Sequence, residues 1–197
     1  MTEFTSRQLI LASTSVYRRQ LLERLRMPFT VVASDVDEAA LPNESSKQLA
    51  CRLALAKAQA VASLHPNSVV IGSDQVADLN GEALGKPETH ARAVAQLQRM
   101  RGQTVIFQTA VAVVCQATGF AETELAQVKV QFKPLTDAQI ERYLLTEQPY
   151  DCAGSAKSEG LGITLLTHID NDDPTALVGL PLIRTCRLLE AAGLRTL

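Results

Sequence analysis

Two groups of residues in this sequence are placed to handle a phosphate. Ser13, Ser15, Arg18 and Arg19 stand in LILASTSVYRR, where a short apolar run gives way to hydroxyls and then to a helix-like segment. The first turn of a helix has unpaired N–H groups and the positive end of a dipole, and arginine grips phosphate through two parallel hydrogen bonds. Serines capping a helix that carries surface arginines would read the same way. Asp74 is the second group's centre. It follows the apolar run VVIG, so it delivers a carboxylate to the end of a strand, where an acid can hold a metal or take a proton from water. An aspartate before a turn is also ordinary solvated loop chemistry. Pleating predicts that Asp74 and Gln75 face opposite sides, so one site takes both only if the strand bends there.

Asp35, Asp37 and Glu38 form an acid cluster able to give oxygen ligands to a Mg²⁺ that also touches phosphate, or simply a solvated loop. The rival cluster Asp170, Asp172 and Asp173 is interleaved with Asn171 and Pro174 and reads better as a turn. Lys57 lies on the border of a helix's apolar face, where it can snorkel its stem along the core. Lys86, between Gly85 and Pro87, is a cation in a stiff loop and suits phosphate. His65, His90 and His168 have no metal-ligand spacing. There is no GxxxxGK[ST], GxSxG or GxGxxG motif, which removes the main support for ordinary kinase, esterase and dinucleotide readings.

The elements that must position these groups alternate. Leu9 to Ala12 reads as a strand, Ser13-Thr14-Ser15 as caps, and VYRRQLLERLR as a helix ended by Pro28. FTVVA is a strand, and Ser45 or Ser46 caps a helix whose apolar positions are Leu49, Leu53, Ala56, Ala60 and Leu64. SVVIGSDQVADL is a strand, with a hairpin at Asn80-Gly81. Ala91 to Met100 is helical. TVIFQTAVAVVCQ and ETELAQVKVQF then form two long antiparallel strands around Ala117-Thr118-Gly119. Thr136 caps another helix, and the glycine-rich YDCAGSAKSEGLG leads into the strand ITLLTHI. Pro181 opens the last helix and Gly193 closes it. The pattern predicts an α/β fold, a mixed sheet flanked by helices.

The chain has 197 residues, 46% hydrophobic and 20% charged, enough for one domain or for two lobes sharing a core. A formal net charge of −2 without a basic run argues against a nucleic-acid groove, though a single nucleotide needs only a few cations. Four scattered cysteines, Cys51, Cys115, Cys152 and Cys186, suit a reducing compartment and no zinc site. The start, MTEFTSRQLILAS, is too short in apolar residues for a signal peptide, and nothing approaches a membrane span, so the reading is cytoplasmic, with no membrane partner.

Taken in order, LILASTSVYRR, the VDE of the acidic loop, Lys57, IGSDQV, LGKP, MRGQTV, AGSAKSEGLG and DPTALVGLPL resemble the Maf family of nucleotide pyrophosphatases. The resemblance spans nearly the whole chain, so residues 1–197 are expected to form one Maf-like domain. It implies an elongated fold related to the inosine triphosphate pyrophosphatases, with two lobes around a central cleft, and a homodimer. It also implies hydrolysis of a nucleoside triphosphate to the monophosphate and pyrophosphate with a divalent metal, Mg²⁺ or Mn²⁺. By position, Ser13, Arg18 and Lys86 would hold phosphates with Lys57 nearby, and Glu38 and Asp74 would organise metal and water, Asp74 as proton acceptor. Tyr17, Gln75 and Glu159 match the positions that set base preference. That combination resembles the YceF-like branch, which prefers 7-methyl-GTP and clears modified nucleotides, although the branch often carries Trp where this chain has Tyr17. A cationic N7-methylguanine suits an aromatic ring and a carboxylate. A dTTP/UTP or broad-specificity pyrophosphatase, and a nucleotide-binding regulator of cell division, are the alternatives.

Overall fold

The computed structural model describes residues 7–197; the N-terminal segment 1–6, on which part of the signal-peptide argument falls, lies outside it. Seven strands among the described residues form one mixed sheet: β1 (Leu9–Leu11), β2 (Phe29–Val31), β3 (Val69–Leu79), β4 (Glu82–Leu84), β5 (Thr104–Cys115), β6 (Phe120–Phe132) and β7 (Leu166–Asp170), in the order β2-β1-β3-β5-β6-β7 with β4 added to β3. β1 runs parallel to β2 and β3, whereas β3-β5, β5-β6 and β6-β7 are antiparallel. The β3-β4 hairpin turns at Asn80 and Gly81, whose φ values of 55° and 89° are the left-handed angles that this pair of residues tolerates.

Five helices among the described residues cover the sheet: α1 (Val16–Glu23), α2 (Ser46–Leu64), α3 (His90–Met100), α4 (Asp137–Glu147) and α5 (Leu182–Ala191). Their starts follow the sequence, with Ser15, Ser45, Thr89 and Thr136 accepting backbone N–H bonds as caps. Three details differ from the sequence reading. α1 stops at Glu23 rather than running to Pro28, because the chain turns through Arg26 at φ 57°. ITLLTHI is a strand only from Leu166, its first residues forming a 3-10 turn, Leu161–Leu165. The buried face of α2 keeps Leu49 and Leu53 of the expected stripe but turns away from its later positions: Ala50, Ala54, Ala58, Val61 and Ala62 face inward, Ala56 and Ala60 are only half-buried, and Leu64 is 74% exposed.

The pleat divides the core. Leu9, Leu11, Val69 and Ile71 pack against Leu21, Leu22, Leu188 and Leu189 of α1 and α5. Ile10, Val70 and Val76 face the small residues of α2 on the other side. A third cluster, including Leu97, Met100, Phe107, Val128, Ile140 and Leu144, joins α3 and α4 to the far end of the sheet. Gly72 belongs to the α2 face, and its lack of a side chain lets Ala54 and Ala58 come against the strand.

Candidate active-site cleft

β3 is paired on one side by β5 without a slip from Val70↔Val114 to Asp78↔Ile106. On its other side β1 reaches only to Ile71, and pairing with β4 begins only at Ala77, opposite Leu84. Among the described residues, the edge of β3 between these two partners therefore has no strand beside it. A cleft of about 1020 Å³ opens at this break, between the α1-β1-α2 side and the β4 hairpin with the 151–159 loop. The bend expected to bring Asp74 and Gln75 to one site is absent, since both keep the regular register with β5. Asp74 points to α2 and Gln75 to the opposite face, yet both line the cleft because the strand between them is open at its edge.

Lys57 is the pivot of the α2 face. It is buried, not snorkelled, and its Nζ donates to Asp74 Oδ1 at 2.7 Å and pairs with Glu38 Oε1 at 2.6 Å. Asp74 is buried as well, so the lysine offsets a charge that would otherwise be costly to enclose. Glu38 reaches the pair from the loop before α2. Partial burial raises its carboxyl, but the Lys57 hydrogen bond and the Lys57, Lys86 and Arg18 charges outweigh this and hold it below the ordinary 4.5. Two hard carboxylate oxygens drawn onto one cation are a donor set that suits Mg²⁺ or Mn²⁺ completed by phosphate oxygens. Among the described residues, no group of three or more His, Cys, Asp or Glu gathers into an all-protein metal site.

Arg18 comes from the first turn of α1. Its Nε donates to Gly179 O at 3.0 Å and its Nη1 to Ser13 Oγ at 3.3 Å, which aims the guanidinium along the cleft wall. Burial lowers its pKa, opposed by the charges of Asp74 and Glu38. Ser15 is spent on capping α1, and its Oγ accepts from Arg18 N at 3.4 Å. Arg19 faces outward toward Glu23, so only one of the two adjacent arginines lines the cleft. Lys86 lines it from the exposed loop after β4. Asp35 and Asp37 do not line the cleft, and Asp37 instead accepts Ala39 N–H at 2.9 Å. Asp172 and Asp173 pair with Arg184, as turn residues would.

The other face is held by hydrogen bonds that the sequence did not single out. Ser73 Oγ lies 2.7 Å from Ala110 O and 2.9 Å from Gly179 O, Thr109 Oγ1 donates to Ala176 O at 2.9 Å, and Gln75 Nε2 lies 3.0 Å from Thr109 Oγ1, Ala176 O and Leu177 O. These bonds fasten the 176–179 turn, and with it the carbonyl that orients Arg18. The signal for them was weak because Ser73 and Thr109 read as ordinary strand residues. Flanking carbonyls fix the Gln75 amide with its nitrogen inward, leaving Oε1 as the acceptor.

Tyr17, Cys152 and Glu159 line the remaining wall. Burial, then the charges of Cys152 and Asp151, raise the Tyr17 phenol pKa, while burial and Asp151 push the Cys152 thiol up to about 12. Partial desolvation likewise raises the Glu159 carboxyl, although its side chain reaches solvent. Ser13, Tyr17, Arg18, Glu38, Lys57, Asp74, Gln75, Lys86 and Glu159 all border the one cleft.

The fold and cleft define an open, mixed α/β protein with a site that gathers basic and acidic side chains at a break in its sheet. The chain belongs to the Maf family: the family model described as Maf-like protein matches residues 8–192. It is similar, at 70% identity over 100% of this chain and 99% of the relative, to a protein of Albidiferax ferrireducens named 7-methyl-GTP pyrophosphatase. Proteins of the same name from a Polaromonas species and from Aromatoleum aromaticum are 70% and 60% identical, over 96% and 95% of this chain and 86% and 96% of theirs. Among solved structures, the Staphylococcus aureus Ham1 protein aligns with 65% of this chain and 73% of its own at 14% identity and a TM-score of 0.48, too distant to bear on function.

Proposed function

We propose that this protein is a nucleoside triphosphate pyrophosphatase that hydrolyses 7-methyl-GTP to 7-methyl-GMP and pyrophosphate, removing a modified nucleotide. The observation that carries the reading is the buried Lys57 bridging Asp74 and Glu38 in a cleft that Ser13, Arg18 and Lys86 also line. Phosphoryl transfer needs positioning and charge neutralisation more than covalent chemistry, and these side chains supply both. The names of the full-length relatives support the base.

In this reading Ser13, Arg18 and Lys86 hold the phosphates, with Arg18 kept in line by Gly179 O. Lys57 occupies Oδ1 of Asp74, and Oδ2 takes the proton of the attacking water. The water oxygen bonds to the α-phosphorus, the bond from that phosphorus to the bridging oxygen breaks, and pyrophosphate leaves with the electron pair. Glu38 and Asp74 would hold Mg²⁺ or Mn²⁺, which supplies further neutralisation of the phosphate charge. Tyr17 stacks on the base, Gln75 Oε1 accepts from its polar edge, and Glu159 balances its positive charge. The enzyme works as one domain over residues 1–197, in the cytoplasm and as a homodimer. No described helix is long and apolar enough to cross a membrane.

The test is a panel of 7-methyl-GTP, GTP, dTTP and UTP with Mg²⁺ or Mn²⁺, with products identified by mass. The expected products are 7-methyl-GMP and pyrophosphate, with the highest kcat/KM for 7-methyl-GTP; no turnover of any nucleotide overturns the proposal. Asp74→Asn should lower kcat by about 10²–10⁴-fold. Near wild-type kcat would remove Asp74 from the role of base.

A further inference from the structure

Tyr17 carries a lysine against its ring: Lys157 Nζ lies 5.8 Å from the ring centroid. Lys157 is in turn held by Glu147, Nζ to Oε1, at 2.8 Å, with only 28% and 14% of the two side chains exposed. The second Glu147 oxygen, Oε2, accepts Leu161 N–H at 2.7 Å. Glu147 is the last residue of α4. One turn earlier, Tyr143 Oη accepts Lys157 N–H at 3.1 Å and donates to Ser155 O at 3.1 Å. The loop glycines leave room for this arrangement, since a Cβ at Gly160 would fall 2.8 Å from Glu147 Oε2 and one at Gly162 would fall 2.4 Å from Lys157 O. The segment 155–162 is thus built around one ion pair that the proposed reaction does not use.

The pair matters because of where its cation sits. An ammonium beside the base-stacking ring opposes a positively charged purine and is nearly indifferent to a neutral one. The Glu147 carboxylate cancels that charge, and Asp151 and Glu159 act on the same group of side chains. We infer that Glu147 is a positioning residue for base selection: by pairing Lys157 it fixes the 155–162 loop and neutralises the cation on Tyr17, so that an N7-methylated guanine is admitted without repulsion. The inference rests on 7-methyl-GTP being the substrate.

Glu147→Gln keeps its one amide oxygen for Leu161 N–H and takes from Lys157 both the negative charge and the acceptor, leaving the cation uncompensated, which suits it to the test. A unit charge ~8 Å away at an effective dielectric of ~30 is worth about tenfold in an association constant. Expected in this variant is a kcat/KM for 7-methyl-GTP about tenfold lower, with that for GTP changed by less than about twofold. Adding Lys157→Met should return the ratio of the two substrates to within about twofold of wild type, because no uncompensated cation remains. Equal losses on both substrates would make Glu147 merely structural, and an unchanged ratio would make its charge irrelevant; either overturns the inference alone. A wild-type protein that does not prefer 7-methyl-GTP overturns the functional reading and this inference with it.

Discussion

Gly72→Ala is the smallest change that tests how the site is held. An ideal Cβ at Gly72 would stand 2.2 Å from Ala54 O, 2.6 Å from Ala58 N and 3.0 Å from Ala58 Cβ. Two of these are backbone atoms of α2, which no rotamer change can move aside. Ordinary contact begins at 3.4 Å, so the strand and helix must part by about 1.2 Å, the difference between 3.4 and 2.2. Overpacking by one methyl group costs ~1–3 kcal/mol, and a clash against rigid backbone belongs at the upper end. About 3 kcal/mol in a chain of this size lowers Tm by roughly 6–12 °C. Lys57 sits on α2 between Ala54 and Ala58, so the same displacement stretches its 2.7 Å bond to Asp74, and a misplacement of ~1 Å can cost about 10²-fold in rate. Calorimetry and steady-state kinetics on the purified variant read both effects. Gly85→Ala, where a Cβ meets nothing within 4 Å, is the control for Tm. A Gly72→Ala protein with Tm within about 2 °C of wild type and full kcat/KM would refute the claim that close backbone approach positions Lys57.

Two further outcomes follow from the charges. Because the folded-state pKa of Glu38 is depressed, its stabilisation is fully present above about pH 4.5 and is lost as pH falls through the folded value. Glu38→Gln should therefore be less stable than wild type at pH 7, by less than ~1 kcal/mol because the Glu38 side chain is 57% exposed, and the two Tm curves should converge in acid; parallel curves would exclude the ion pair as the cause. Cys152, raised from 9.0 to about 12, should be alkylated by iodoacetamide at pH 8 about thirtyfold more slowly than an unperturbed thiol, since its smaller thiolate fraction outweighs its greater intrinsic nucleophilicity. Site-resolved mass spectrometry checks this, and labelling at the rate of an unperturbed thiol would refute it.

Local signals were legible where local physics decides. The serine and threonine caps, the Asn80-Gly81 hairpin and the long β5-β6 pair follow from hydrogen bonding and backbone angles within a few residues. Where neighbours decide, the sequence misled. Leu64 has the composition of a core residue, yet α2 turns its alanines inward because only small side chains let the helix approach Gly72. Arg18 and Arg19 are indistinguishable as residue types, and the Gly179 carbonyl, 161 positions away, selects the first.

What the sequence determined by itself is the inventory: a strand-turn-helix with hydroxyls and arginines, a carboxylate at the end of an apolar strand, two lysines, and the ordered motifs that mark the family. Tertiary structure alone decided that these groups share one cleft. β1 stops at Leu11, opposite Ile71, and β4 ends at Leu84, opposite Ala77, and the unpaired edge left between them lets Asp74 and Gln75 serve one space from opposite faces. The physical reason is that a strand's pleat is written in its own residues, whereas the place where its neighbours end is written in theirs.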